Sequence, residues 1–170
     1  MNKAVRTCSY KNIFNMILMS ALVLVSINIS FASVKSGKGK KEKISDQLTM
    51  KETIAPKELA NEMKLSGKKK PLILHVGFDF LYNQDHIAGA KFMGPASRDQ
   101  GLANLKSYVK KLPHDSPIVI YCGCCPWDHC PNIRPAYKTL VDLGFTNVKA
   151  LYLPENFPQD WKAKGYPVSK

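Results

Sequence analysis

Residues 118–134 read Ile-Val-Ile-Tyr-Cys-Gly-Cys-Cys-Pro-Trp-Asp-His-Cys-Pro-Asn-Ile-Arg. The β-branched and aromatic run Ile118 to Tyr121 predicts a strand that leads directly into Cys122. Four of the five cysteines in the chain fall within the nine residues from Cys122 to Cys130. Because reactive groups of open α/β sheets lie beyond the carboxyl ends of the strands, this segment indicates a site of sulfur chemistry.

Short apolar runs alternate with amphipathic stretches on both sides of this segment. Further strands are predicted at residues 72–76 and 148–151. Helical spacing predicts a helix that starts at Pro56, another over residues 99–111 and a third that contains Ala136 and Leu140. Strands that alternate with helices predict an α/β domain with a parallel sheet covered on both faces.

The N-terminal 32 residues have the pattern of a secretory signal peptide. Lys3, Arg6 and Lys11 precede an apolar run over residues 13–29, and small residues precede a cut after Ala32. We therefore predict cleavage after Ala32 and a periplasmic or secreted protein. An uncleaved membrane anchor is the alternative, because the run reaches the lower limit of a bilayer span.

The basic charge is concentrated in the first 70 residues, which include the predicted linker and the first predicted helix. The chain has 25 Lys and Arg against 13 Asp and Glu, a formal net charge of +12. Residues 33–52 are predicted to be a basic flexible linker and residues 53–170 the domain. Because no aromatic residues interleave with the lysines and export is predicted, we expect no nucleic-acid partner and no stable membrane association after cleavage.

Four fragments occur in an order and spacing that resemble single-domain rhodanese-like proteins. They are His86–Ala90, the strand 118–121 that ends in Cys122, Gly144–Val148, and residues 161–168 with Gly-Tyr-Pro-Val. The resemblance implies a rhodanese-like α/β fold, a five-stranded parallel sheet with helices on both faces. It also implies a sulfurtransferase, in which Cys122 accepts sulfane sulfur as a persulfide and passes it to a thiol.

Cys122 and Arg134 are the predicted catalytic residues. Unpaired N–H groups of the loop and the following helix end should lower the pKa of a thiol at Cys122, and the thiolate is the form that attacks sulfur. Arg134 stands where rhodanese-like proteins carry the arginine that closes the loop, and a guanidinium there would favour a thiolate and bind an anionic donor. A buried, inert cysteine is the alternative for Cys122.

Three features depart from the family pattern. The step from Cys122 to Arg134 is seven residues longer than in the family. The first strand ends in His75-Val76-Gly77 where the family commonly has Asp-Val-Arg, and we expect His75 to be structural. Pro154-Glu155 replaces the usual Gly-Gly before the last helix.

Three chemistries remain open for the loop. In one, Cys122 carries the persulfide or a redox-active disulfide, and Cys124, Cys125 or Cys130 resolves it. In another, the four cysteines form two structural disulfides, although two bonds within nine residues would be strained. In the third, Cys122, Cys124, Cys130 and His129 bind zinc or copper, although paired Cys-x2-Cys spacing is missing. We favour sulfur or thiol redox chemistry without a cofactor, with a small sulfur donor and a small-molecule or protein thiol acceptor as partners.

Overall fold

The computed structural model describes residues 48–67 and 70–170. The predicted signal peptide and the predicted linker up to residue 47 lie outside the described residues. The strands are β1 (Thr53–Ile54), β2 (Leu72–His75), β3 (His86–Ile87), β4 (Lys91–Phe92), β5 (Ile118–Tyr121), β6 (Val148–Leu151) and β7 (Val168–Ser169).

Five of these strands form one parallel sheet in the order β1-β6-β5-β2-β4. A separate antiparallel pair joins β3 to β7. The α-helices are α1 (Pro56–Glu62), α2 (Asp79–Gln84), α3 (Asp99–Val109), α4 (Ile133–Asp142) and α5 (Phe157–Asp160). The predicted α/β architecture, with a five-stranded parallel sheet and helices, is confirmed.

Each face of the sheet packs against its own set of helices, because successive side chains of a strand point to opposite faces. On one face, Leu74 and Ile120 join the buried residues of α3 and α4. On the other face, Ile73 and Tyr121 join buried residues of α1 together with the fully buried Trp161. Both faces of β2 and β5 are therefore buried, which explains why these strands read as continuous apolar runs.

The central position of β5 determines where its carboxyl end lies. Its neighbours are β2 and β6, so Cys122, the next residue, emerges between the carboxyl ends of two other parallel strands. The Val76 N–H donates a hydrogen bond of 2.8 Å to the Tyr121 carbonyl and extends the pairing by one residue. The site thus lies at the carboxyl end of the central strand of the sheet.

The described part of the predicted linker lies against the domain. Leu48 packs against the core on the α3 and α4 face. The Glu52 carbonyl accepts a 2.8 Å hydrogen bond from the Ala150 N–H at the edge of the sheet. Within the described ranges, no helix combines the length and the apolar character that a membrane span requires.

Candidate active site at the end of strand β5

Cys122 lies in a buried position at the point where β5 ends. Its exposed fraction is 2%. Gly123 then turns the chain with a φ of +79°, and a β-carbon at this position would lie 2.6 Å from Cβ of Phe157. Only glycine meets both conditions, since other residues avoid positive φ and the space is occupied.

The sulfur atoms of Cys122, Cys124 and Cys130 form a compact group, here called the thiol cluster. All three lie within 4.8 Å of one another, and the sulfurs of Cys122 and Cys124 are 3.3 Å apart, within hydrogen-bonding distance. Cys125 lies beside the cluster, with its sulfur 2.9 Å from that of Cys124. The four cysteines within the described residues are free thiols in this structure.

Asn132 links the thiol cluster to another loop of the sheet edge. Its side chain is fully buried. The Asn132 Nδ2 donates a hydrogen bond of 3.2 Å to Sγ of Cys122, while its Oδ1 accepts one of 2.9 Å from the Ser97 N–H. An amide that donates to a sulfur stabilises the thiolate relative to the thiol.

Negative charge in the cluster belongs mainly to Cys130. Hydrogen bonds from the Cys122 and Cys124 thiols lower the pKa of Cys130 far below its ordinary value, against the effect of burial, and the backbone N–H groups of Asn132 and Ile133 at the start of α4 add to this. Three sulfurs in contact share one charge because a second would face the first at short range.

The other thiols are correspondingly hard to ionise. The hydrogen bond with Cys124 lowers the pKa of Cys122, but the hydrogen bond to Cys130, burial and the charge on Cys130 together raise it. The pKa of Cys124 is raised first by its hydrogen bond with Cys122, and that of Cys125 first by burial. The expected lowering of the pKa of Cys122 is therefore wrong: the N–H groups at the start of α4 act on Cys130, and Cys122 is a thiol beside a thiolate.

The Arg134 side chain stabilises the cysteine-rich loop by hydrogen bonds to backbone carbonyls of that loop. Its Nη1 donates to the carbonyls of Trp127 and Cys130 over 3.3 and 3.4 Å, and the guanidinium lies 5.8 Å from the centre of the Trp127 ring. Trp127 in turn makes an edge contact with Tyr152, with ring centres 5.2 Å apart. These contacts anchor the loop of seven additional residues.

His75 and Gly77 adapt the end of β2 to the buried thiol. The His75 Nε2 lies 3.0 Å from the Cys122 carbonyl, and burial lowers the pKa of His75 to about 4, so the neutral ring donates from Nε2. A β-carbon on Gly77 would lie 2.8 Å from Sγ of Cys122. Glycine at position 77, where the family commonly has arginine, therefore leaves room for the sulfur.

A cavity of about 170 Å³ opens beside Cys122. Its walls include His75, Tyr121, Gly123 and Lys162, and Cys122 itself lines it. The Lys162 ammonium is ion-paired with Asp85 at the rim. The cavity has the size of a few water molecules, which suits a small reactant.

The structure brings together three of the predicted site residues as a unit and places the others around them. Cys122, Cys124 and Cys130 form the cluster, and Cys125 adjoins it through Cys124. Arg134 contacts loop carbonyls. His129, the remaining predicted metal ligand, supplies its backbone carbonyl to Cys125 and is not part of the three-sulfur group found among the described residues.

Sequence reasoning did not single out Asn132 or the role of Gly77. The position of Asn132 directly before α4 is typical of a helix cap, but its side chain makes no cap hydrogen bond and turns to Cys122 instead. A polar residue directly before a helix predicts a helix cap, but it does not predict that the side chain bonds to Cys122 instead.

Comparisons with known proteins agree with the fold described above. The sequence model of the Rhodanese-like domain matches residues 55–152. A solution structure of the rhodanese-like domain of an Anabaena sp. protein is 23% identical, with a TM-score of 0.52, and the match covers 71% of this chain and 80% of that one. A crystal structure of a full-length Lactobacillus plantarum protein is 22% identical, with a TM-score of 0.51 and coverage of 71% and 88%.

The comparison with curated proteins gave no match. The two solved structures support the fold, and the sequence match spans more than half of the chain. The chain therefore belongs to the rhodanese-like domain family.

Proposed function

We propose that this protein is a sulfurtransferase that carries sulfane sulfur as a persulfide on Cys122 and passes it to a thiol acceptor. The observation that carries the proposal is the setting of Cys122 at the end of β5. Its sulfur accepts a hydrogen bond from Asn132 and contacts Cys124, and the residue lines the cavity.

The first half-reaction begins with a proton transfer inside the cluster. The Cys122 thiol passes its proton to the Cys130 thiolate with which it is hydrogen-bonded, so the negative charge moves to Cys122 without entering solvent. The Cys122 thiolate then attacks the sulfane sulfur of a donor such as thiosulfate. A new S–S bond forms, the donor S–S bond breaks, and sulfite leaves with the electron pair.

The second half-reaction returns the site to its starting state. The thiolate of an acceptor attacks the outer sulfur of the Cys122 persulfide. The acceptor becomes a persulfide, and Cys122 leaves as the thiolate and recovers its proton from Cys130.

The test compares Cys122→Ser with Cys125→Ser in transfer from thiosulfate to glutathione. We expect Cys122→Ser to abolish transfer and to prevent the mass increase of one sulfur atom after exposure to donor alone. Cys125→Ser should retain both, because Cys125 lies outside the three-sulfur group. Full turnover in Cys122→Ser, or a sulfur adduct mapped to another cysteine, would overturn the proposal.

A thiol–disulfide function is the second candidate, and it is favoured by one contact. The Cys122 and Cys124 sulfurs lie 3.3 Å apart, close enough for a bond of about 2.05 Å after a small movement. Oxidation would join them and release two electrons to an acceptor disulfide. Titration in glutathione redox buffers, followed by mass mapping of the Cys122–Cys124 bond, tests this function, and a cluster that stays fully reduced in every buffer would exclude it.

Export is part of the proposal. The basic start, the apolar run and the small residues Ser30 and Ala32 support cleavage after Ala32 and a periplasmic or secreted protein. N-terminal sequencing of the mature protein tests the cut, and a chain that still begins at Met1 would contradict it.

A further inference from the structure

The thiol cluster has the dimensions of a trigonal metal site. An ion at the centre of three sulfurs, with bonds of about 2.3 Å, requires the sulfurs to lie about 4 Å apart. The sulfurs of Cys122, Cys124 and Cys130 all lie within 4.8 Å of one another, and two of them are 3.3 Å apart. Adjustments of less than about 1 Å would therefore bring all three onto one ion.

Among the described residues, three side chains form a group whose ligand atoms all lie within 4.8 Å of one another. No histidine, aspartate or glutamate of the described chain joins the three sulfurs. The Cys125 thiol instead donates to the His129 carbonyl over 3.7 Å. Zn²⁺ in structural sites takes four ligands, whereas three soft thiolates suit Cu(I), a closed-shell ion that accepts trigonal coordination.

The surroundings of the cluster favour a buried, negatively charged complex. Cys122 and Cys130 are only 2% and 6% exposed, so two of the three ligands are shielded from bulk water. The Asn132 amide already donates to Cys122 over 3.2 Å. The Cys130 sulfur also faces the amino end of α4, where free N–H groups and the helix dipole favour negative charge.

We propose that the reduced thiol cluster binds one Cu(I) ion through Cys122, Cys124 and Cys130. Each Cu–S bond forms as a thiolate replaces the exogenous ligand of the incoming ion, and each coordinating thiol releases its proton to solvent. Copper and sulfur keep their oxidation states. This inference goes beyond sulfur transfer, and because Cys122 serves both roles, a bound ion blocks the persulfide step.

The experiment is an anaerobic titration of the reduced protein, prepared without chelators, with Cu(I) in competition with the coloured chelator bicinchoninate. We expect one Cu(I) per chain to be withdrawn from the chelator. X-ray absorption of the loaded protein should show three sulfurs at about 2.3 Å.

Two serine variants identify the ligands. Cys124→Ser should weaken Cu(I) binding by about 100-fold or more, since loss of an outer-shell partner alone costs up to about 100-fold. Cys125→Ser is the matched control, adjacent in sequence but outside the three-sulfur group, and it should bind like the parent protein. Cys124 is only partly buried, and circular dichroism checks that both variants fold.

Unchanged affinity in Cys124→Ser, lost affinity in Cys125→Ser, or absorption showing two or four sulfurs would each overturn the proposal. The binding readout needs neither a sulfur donor nor an acceptor. A protein that transfers sulfur but fails to withdraw Cu(I) would thus refute only the copper site, and the reverse result would refute only the transferase.

Discussion

The Asn132 side-chain amide donates a 3.2 Å hydrogen bond to Sγ of Cys122, although the two residues stand ten positions apart on opposite sides of the cysteine-rich loop. The same side chain accepts from the Ser97 N–H. Asn132 thereby connects the end of β5, the start of α4 and the segment before α3. It is a positioning residue for the proposed nucleophile.

Replacing Asn132 by aspartate should slow sulfur transfer by at least about 10-fold. The variant keeps an oxygen for the Ser97 N–H but replaces the donor to Cys122 by a carboxylate, so the thiolate loses a hydrogen bond that contributes about 1.5–3 kcal/mol and is also repelled by the new negative charge. Steady-state kinetics over a pH series measures the effect. The pH at which activity rises should move upward, because the thiolate of Cys122 is less stabilised.

Asn147→Asp is the control for this substitution. Asn147 is exposed, and its amide donates to the Asp115 carbonyl over 3.5 Å, away from the sulfur atoms. An equal loss of rate in both variants, or an unchanged pH profile in Asn132→Asp, would contradict the role of Asn132.

Gly77→Ala should destabilise the fold by about 1–3 kcal/mol, the usual effect of inserting a methyl group into a packed site. The new β-carbon would lie 2.8 Å from Sγ of Cys122. Urea unfolding measures the free energy of unfolding. The matched comparison is Gly77→Ala in a Cys122→Ala background, where the sulfur is gone and the same substitution should cost less, the close contacts that remain being those with the His75 ring at 3.0 and 3.2 Å. An identical cost in both backgrounds would mean that the clash is not with this sulfur.

Stability should fall as the pH drops from 6.5 towards 4. Burial lowers the pKa of His75 to about 4 in the folded state, whereas the pKa of an unburied histidine is 6.5. Between these values the unfolded chain binds the extra proton, so the free energy of unfolding rises with pH and about 3 kcal/mol is lost on acidification.

His75→Gln keeps a side-chain donor but does not titrate, so its unfolding free energy should vary less with pH between 7 and 4. His114→Gln changes an exposed histidine and serves as the control. Parallel pH dependences for the parent and His75→Gln would argue against His75 as the source.

The folded protein should show thiolate ultraviolet absorbance at neutral pH that disappears on unfolding. The Cys122 and Cys124 thiols hold the pKa of Cys130 far below its ordinary value, whereas an unfolded cysteine is largely protonated at that pH. Cys130→Ser should remove most of this absorbance, and Cys125→Ser should leave it. A signal that survives in Cys130→Ser would place the charge on another sulfur.

Prediction from the sequence was most accurate for strands that are buried on both faces, because such burial produces a run of apolar residues. Strand β5 is apolar throughout, and β2 and β6 are apolar except for His75 and Lys149, because both faces of the sheet are covered; the bounds of all three agree with the predicted runs to within a residue. Five elements escaped prediction. The strands β1, β3, β4 and β7 have two residues each, too few for a period, and α2 buries no residue and so shows no apolar stripe.

The composition of residues 118–134 was sufficient to predict where the candidate site lies along the chain, because a strand end followed by four cysteines and a helix start is a local feature of the sequence. The role of each sulfur cannot be predicted from the local sequence. Which thiols meet, which one holds the charge, and how Cys122 fits beneath Gly77 and against Asn132 depend on three separate segments that the parallel sheet brings to one edge. The distances between these side chains cannot be predicted from the spacing of the residues along the chain, because they arise from the packing of β2 beside β5 and of α4 over the sheet.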